Sequence, residues 1–238
     1  MSDVVIAHLY AREMNIYGDT GNVIALRRRL EWRGIGVRVD VVGAGEAYDF
    51  SAADVVFAGG GQDRNQLVVA DDLQRLGPGL RDAVGAGTVI LTVCGTYQLF
   101  GRRFVTHDGD EIPGIGVFAA ETIASDVRMI GNVVVDSPWG RLVGFENHSG
   151  RTVLDEGQAP LGTVAKGYGN NDTTGDEGAV VGNCFGTYLH GSLLPKNPAF
   201  ADELLRRALA RRQGPEVALD PLDDELERRA ADVAARRP

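Results

Sequence analysis

This sequence predicts an α/β protein: a central, mainly parallel sheet flanked by helices, with antiparallel strands added in the C-terminal half. Three observations predict it. Through Phe100 the segments read strand, helix, strand, strand, helix, strand, helix, the order of a doubly wound sheet. From about Gly109 the texture changes to short, glycine-punctuated strands of more antiparallel character. A chain of 238 residues with 44% hydrophobic content can also bury a substantial core. With no linker or internal repeat in view, residues 1–211 read as a single domain and 212–238 as a charged helical extension.

The elements follow in order. Val4 to Leu9 is a first apolar strand, and Asp19-Thr20-Gly21-Asn22 can start a helix through its capping side chains. That helix carries Val23, Ile24, Leu26 and Leu30 against Arg27, Arg28 and Arg29, and Gly34 stops it. Val37 to Val42 is a second strand, and Asp54 to Ala58 is a third that runs into Gly59-Gly60-Gly61-Gln62. Helical spacing runs from Asn65 to about Leu76, Gly77-Pro78 is expected to break it, and a short helix follows from Leu80 to Val84. In the second half, strands are expected at Gly116 to Ala119, Met129 to Val135, Leu142 to Phe145, Val180 to Asn183 and Phe185 to Leu189. Pro198 to Arg211 reads as a helix with proline near its start. The tail carries Leu222, Leu226, Ala230 and Val233 at helical spacing, which predicts a helix packed on that face.

The chemistry points to the stretch Thr88 to Phe100. Val89, Ile90, Leu91 and Val93 suit a buried strand, which ends abruptly at Cys94-Gly95 before a helix can begin. A thiol on such a turn stands clear of the sheet, at the positive end of the helix that follows. In doubly wound sheets ligands lie at the carboxyl ends of the strands, where Cys94 and Gly59 to Gln62 both fall. The triple glycine lacks the lysine and hydroxyl of a P-loop and the spacing of a dinucleotide fingerprint. A nest of backbone N–H groups there could instead hold an oxyanion together with Gly95, and a plain tight turn is the alternative.

A cysteine nucleophile requires a base. Of the four histidines, His8 lies inside a strand and His107 in a turn, while His148 and His190 each follow a strand and precede or approach a glycine. Ser192 stands two residues after His190, so no acid lies close in sequence to orient the imidazole. The formal charge of −9 argues against a nucleic-acid partner. No zinc-ligand spacing, secretory signal or membrane span is read, so a cytoplasmic protein with two free thiols, Cys94 and Cys184, is expected.

Three segments resemble a known family: Cys94-Gly95-Thr96-Tyr97-Gln98, Gly144-Phe145-Glu146-Asn147-His148-Ser149-Gly150, and the run from His190 through Gly191, Ser192, Leu193, Leu194, Pro195, Lys196 and Asn197 to Pro198. With the opening Tyr17-Gly18-Asp19-Thr20-Gly21-Asn22, they are similar to the class I glutamine amidotransferases, and within them to the cobyric acid synthase (CobB/CobQ-like) branch, from Val4 to about Arg211. The resemblance implies a flavodoxin-like fold and a glutaminase. Cys94 would be the nucleophile on the glutamine amide, and His190 the base. Gly95, Gly60 and Gly61 would be oxyanion donors, Arg128 the holder of the α-carboxylate, and Gln98 a substrate-placing residue. It also implies a heterodimer with a Mur-ligase-like partner that carries ATP and magnesium and amidates the D-glutamate α-carboxyl of lipid II; this chain itself would carry no cofactor or metal. Thr92 and Thr96 stand where many members have glycine, and Ser192 where most have glutamate. The orienting carboxylate is therefore expected from elsewhere in the chain or from the partner, and a slow glutaminase until docking is the corollary. A corrinoid carboxylate as acceptor, a non-catalytic binding module and a hydrolase of γ-glutamyl compounds are the alternatives.

Overall fold

The computed structural model describes residues 3–61 and 63–237, so Gln62 of the glycine loop lies outside the described residues. Strand β1 (Val4–Leu9), helix α1 (Thr20–Glu31), β2 (Val37–Val42), β3 (Val55–Ala58), α2 (Asp63–Gly85), β4 (Val89–Val93) and α3 (Gly95–Phe100) come first. Then follow β5 (Arg103–Val105), β6 (Glu111–Pro113), β7 (Ala120–Ile123), β8 (Met129–Ser137), β9 (Gly140–His148), β10 (Arg151–Leu154) and β11 (Gly162–Lys166). The chain closes with β12 (Asp176–Glu177), β13 (Ala179–Val181), β14 (Cys184–Thr187), α4 (Leu193–Lys196), α5 (Pro198–Gln213) and α6 (Glu225–Arg236).

The central sheet has the order β13-β14-β4-β3-β1-β2, parallel throughout except for the antiparallel edge strand β13. Strands β3 and β4 are buried at every position, as parallel strands covered on both faces must be. Two four-stranded sheets, β10-β7-β5-β6 and β12-β11-β8-β9, make up the mixed and antiparallel half. The order of the central sheet reverses at β1 and β3, and the loops beyond the carboxyl ends of β1, β3, β4 and β14 gather there.

Register decides which late residues reach the early ones. Thr187 of β14 pairs with Val93 of β4, and the Cys94 amide donates to the Thr187 carbonyl at 2.8 Å. Residues just after Thr187 therefore emerge beside Cys94. The β8–β9 hairpin runs Met129 against His148, which sets Arg128 and Asn147 side by side at one end. Strand β9 also pairs with the segment leaving β14: the His190 amide donates to Phe145 O at 2.8 Å and the Phe145 amide donates to His190 O at 3.1 Å.

Five expectations need correction. The break at Gly77-Pro78 is absent, because α2 runs unbroken through Pro78. Val69, Leu73, Leu76, Leu80 and Ala83 lie buried along this helix, and their burial outweighs an interior proline's cost of about 3 kcal/mol. Residues 116–119 form no strand. The Val117 and Phe118 amides both turn onto Phe100 O, at 2.8 and 3.0 Å, wrapping the end of α3, and β7 starts only at Ala120. Val180 to Asn183 is interrupted by Gly182 at φ 58°, the turn between β13 and β14, and β14 itself ends at Thr187.

The last helix packs on a different face from the one expected. Leu226 and Val233 are 74% and 52% exposed. Glu227, Ala231, Ala234 and Ala235 face inward instead. Polar anchors set this orientation: Arg29 clamps Asp224 and Asp202 together at 2.6 Å each, and Lys166 Nζ donates to the Ala235 carbonyl. No described helix is long and apolar enough to cross a membrane.

Candidate active site

Cys94 sits where β4 gives way to α3, in a conformation few side chains tolerate, with φ 51° and ψ −109°. Such a backbone costs on the order of 1–3 kcal/mol and persists only when its surroundings impose it. Thr96 helps to impose it. Its hydroxyl accepts the Val93 amide at 3.2 Å and lies 2.8 and 2.9 Å from the carbonyls of Ala58 and Gly59, tying the elbow to the end of β3. Thr92, the other threonine in a usual glycine position, points its hydroxyl at Phe185 O. The second cysteine, Cys184, is buried within β14, and burial raises its thiol well above the usual range. Both thiols are free.

His190 lies fully buried three residues beyond β14. Its ring and Cys94 converge on Gly60. A Cβ placed on Gly60 would stand 2.4 Å from His190 Cε1, 3.2 Å from Nε2 and 3.0 Å from Cys94 Cβ. Two side chains this close to one point are themselves neighbours. On the far side of the ring, Nδ1 lies 3.2 and 3.3 Å from the two carboxylate oxygens of Asp19. Facing an acceptor, Nδ1 carries the proton, so Nε2 presents its lone pair toward Cys94. Burial would lower the imidazole, but the charges and hydrogen bonds of Cys94 and Asp19 outweigh it and lift it to about 10. His190 is thus set to take the Cys94 proton on Nε2 and is held as an imidazolium facing sulfur once it has done so, with Tyr17 edge-on to its ring at 5.2 Å.

A cavity of about 290 Å³ opens above Cys94, room for a single amino acid. Gly61, Gln66, Gln98, Arg128, Asn147 and His148 are among its lining residues. Arg128 is exposed at its mouth and donates from Nε to Asn147 Oδ1 at 2.7 Å, and Asn147 in turn donates to the Tyr17 hydroxyl. Gln98 is buried. Its Oε1 accepts from Gln66 at 2.5 Å and its amide donates to Tyr188 at 3.1 Å, so it belongs to a fixed network that lines the cavity floor. His148 stacks on Tyr188 with 3.6 Å between centroids, and its Nδ1 is held by the Gly150 carbonyl at 2.8 Å. Neither contact turns it toward the sulfur. His8 is buried in β1 and held down to about 4 by desolvation, and His107 is exposed on Ser125 O.

The structure gathers Cys94, His190, Gly60, Gly61, Gly95, Gln98 and Arg128 into one region, and it corrects the part given to Gly60. That amide is committed to Asp19 Oδ2 at 2.8 Å, so it offers no donor to an oxyanion. The triple glycine is no phosphate cradle either. A Cβ at Gly59 would fall 2.4 Å from Met14 O and 3.0 Å from Asp19 Cβ, so the first two glycines are gaps that Asp19, His190 and Cys94 fill. Gly95 opens α3, and a Cβ there would strike Gln66 and Met14.

Sequence reasoning missed Asp19, Gln66, Asn147 and Tyr17. Asp19 read as a helix cap, the common use of that residue type. Here its side chain makes no capping bond and is fully buried. An uncommitted cap cannot be told from a committed one without coordinates.

Comparison with known proteins points to one family. Residues 5–198 match the CobB/CobQ-like glutamine amidotransferase domain. The glutamine-hydrolysing lipid II isoglutaminyl synthase subunit GatD of Staphylococcus aureus is 40% identical over 100% of this chain and 97% of its own. The subunit of the same name from Streptococcus pneumoniae is 37% identical over 95% and 88%. Cobyric acid synthase of Nocardia farcinica is 37% identical over 61% of this chain, though only 30% of its own. A crystal structure of a glutamine amidotransferase superposes with TM-score 0.56 at 14% identity, over 85% of this chain and 98% of that one. The acivicin-bound glutaminase domain of Trypanosoma brucei CTPS gives 0.54 at 13%, over 91% and 96%.

Proposed function

The chain belongs to the CobB/CobQ-like glutamine amidotransferases, and we propose that it is the cytoplasmic glutaminase subunit of a lipid II isoglutaminyl synthase. The observation that carries the reaction is the meeting of Cys94 and His190 over Gly60, under a cavity of amino-acid size. The Cys94 sulfur attacks the side-chain amide carbon of glutamine. Gly95 and Gly61 amides receive the oxyanion, and the His190 imidazolium gives its proton to the departing ammonia. Water, deprotonated by His190, then attacks the thioester, which releases glutamate and returns the thiol. Arg128 at the mouth pairs with the α-carboxylate. Gln98 and Gln66 form the floor against which the side-chain amide lies.

Ammonia released into neutral water becomes ammonium and loses its nucleophilic lone pair, so a closed passage to a second active site suits this chemistry. The partner we propose is a Mur-ligase-like subunit that uses ATP and magnesium to activate the D-glutamate α-carboxyl of lipid II; no cofactor is assigned to this chain. Full-length similarity to two subunits of that named activity supports lipid II over a corrinoid, since cobyric acid synthases match over only part of this chain.

Purified complex supplied with ATP, glutamine and lipid II tests this reading. Cys94→Ser is expected to abolish glutamate release and glutamine-driven amidation, while added ammonium salt still supports amidation. Undiminished glutamine-driven amidation by Cys94→Ser would refute the nucleophile, and inertness toward lipid II with or without ammonium would refute the acceptor.

A further inference from the structure

Asp19 is bound in a way that no structural duty accounts for. It stands at the start of α1, where an aspartate ordinarily turns back to cap its own helix, yet it makes no such bond. It is also completely buried, an unfavourable place for a carboxylate without compensation. Its compensation comes from the reaction site. Oδ2 accepts the Gly60 amide at 2.8 Å and the His190 Nδ1–H at 3.2 Å, with Oδ1 at 3.3 Å from the same nitrogen. Gly59 lacks the side chain that would collide with it. Ser192, two residues after the histidine, gives its hydroxyl to Gly18 O at 2.6 Å and turns away from the ring.

We infer that Asp19 is the positioning residue of the glutaminase reaction, completing within this one chain a Cys94–His190–Asp19 relay whose acid comes from the loop after β1. This inference rests on the proposed glutaminase activity. Asp19 touches neither substrate nor sulfur and acts through His190 in two ways. It fixes the proton on Nδ1, leaving Nε2 to take the thiol proton. Its negative charge also stabilises the imidazolium formed when that proton moves from Sγ to Nε2 and later passes to ammonia. Oδ2 holds the glycine loop and the ring together, so one carboxylate sets the distance between Gly60 and His190. The titratable groups facing the ring are Cys94, Asp19 and Tyr17, while Lys196 lies beyond Gly191, donating to that residue's carbonyl at 2.5 Å.

Asp19→Asn in the purified complex is the test. The amide can still accept the Gly60 N–H, but it removes the charge and brings an NH2 group against Nδ1–H. Glutamine hydrolysis is expected to lose about 10²–10⁴-fold in kcat, with KM changed much less. The rate of Cys94 alkylation by iodoacetamide should shift its rising limb to higher pH, because the thiolate–imidazolium pair forms less readily. Asp19→Glu should recover part of the lost rate. In a His190→Ala background, Asp19→Asn should change the residual rate no further. Wild-type kcat in a folded Asp19→Asn protein would overturn the inference. So would an unshifted alkylation profile, or an equal loss in the His190→Ala background, where only a structural role could act; that arm also decides the matter if the single variant folds poorly. Turnover that survives Cys94→Ser would instead remove the glutaminase reading itself, so the two failures are distinct.

Discussion

Gly60 is where the site tolerates least. Its missing side chain leaves the gap in which Cys94 and His190 meet, with the nearest ring atom 2.4 Å from where a methyl group would stand. Gly60→Ala should therefore part the two side chains while the fold survives. A displacement of about 1 Å at a reacting pair can cost about 10²-fold in rate, so a kcat loss of that order is expected with little change in melting temperature. Normal turnover in the variant would mean that the two side chains do not work across this gap. At this scale the sequence was informative about identity and poor about use. Cys94 was legible because an apolar run ends on it and glycine follows. His190 was legible because it follows a late strand in a motif shared with a family. Gly60 looked like an oxyanion donor because glycine amides are the usual material of such nests, and only coordinates reveal that Asp19 already occupies it.

Helices and strands were legible where a strong period spans many residues. The strands Val4–Leu9, Val37–Val42 and Val89–Val93 and the helix at Pro198–Gln213 stand close to where their apolar spacing predicts. Strands of two to four residues, such as β5, β6, β10 and β12, carry too few residues to display a period. β10, moreover, pairs with β7 across the intervening β8–β9 hairpin. The last helix teaches a different lesson. Its apolar stripe was real, but buried ion pairs governed its orientation. Arg29, whose side chain is 4% exposed between Asp202 and Asp224, holds the start of α6 against α1 and α5. Arg29→Ala removes the cation that joins Asp224 to Asp202, leaving Asp202 to Arg33, and is expected to cost about 3 kcal/mol, whereas Leu226→Gln on the exposed stripe should stay within about 0.5 kcal/mol. Urea midpoints of the two variants check this. A reversed ranking would mean that the stripe, and not the clamp, anchors the helix.

The whole molecule divides into a parallel sheet that supplies the proposed nucleophile and base and an antiparallel half that closes the pocket, joined by buried polar groups. Glu177 is one of these. Its Oε1 accepts the Tyr188 amide at 2.7 Å and the Thr187 hydroxyl at 2.9 Å, just ahead of His190. Burial pushes its carboxyl from 4.5 up to about 8, against the pull of those two bonds. Between these values the unfolded chain releases a proton that the folded chain keeps, so this group's stabilisation is present below about 4.5 and is lost as pH rises to about 8. Glu177→Gln should flatten the fall in denaturant stability between pH 5 and pH 8; an unchanged slope would exclude this carboxyl as its source. The overall topology was legible from element order, but the register that sets Thr187 beside Val93 was not. That register brings a base from late in the chain to a thiol in its first half, and the whole account depends on the thiol being the reacting atom. Peptide mapping by mass spectrometry after treatment with acivicin, a glutamine-like electrophile, tests this most directly. The account predicts a single adduct on Cys94 that excess glutamine prevents, and an adduct on Cys184, or an unlabelled protein, would contradict it.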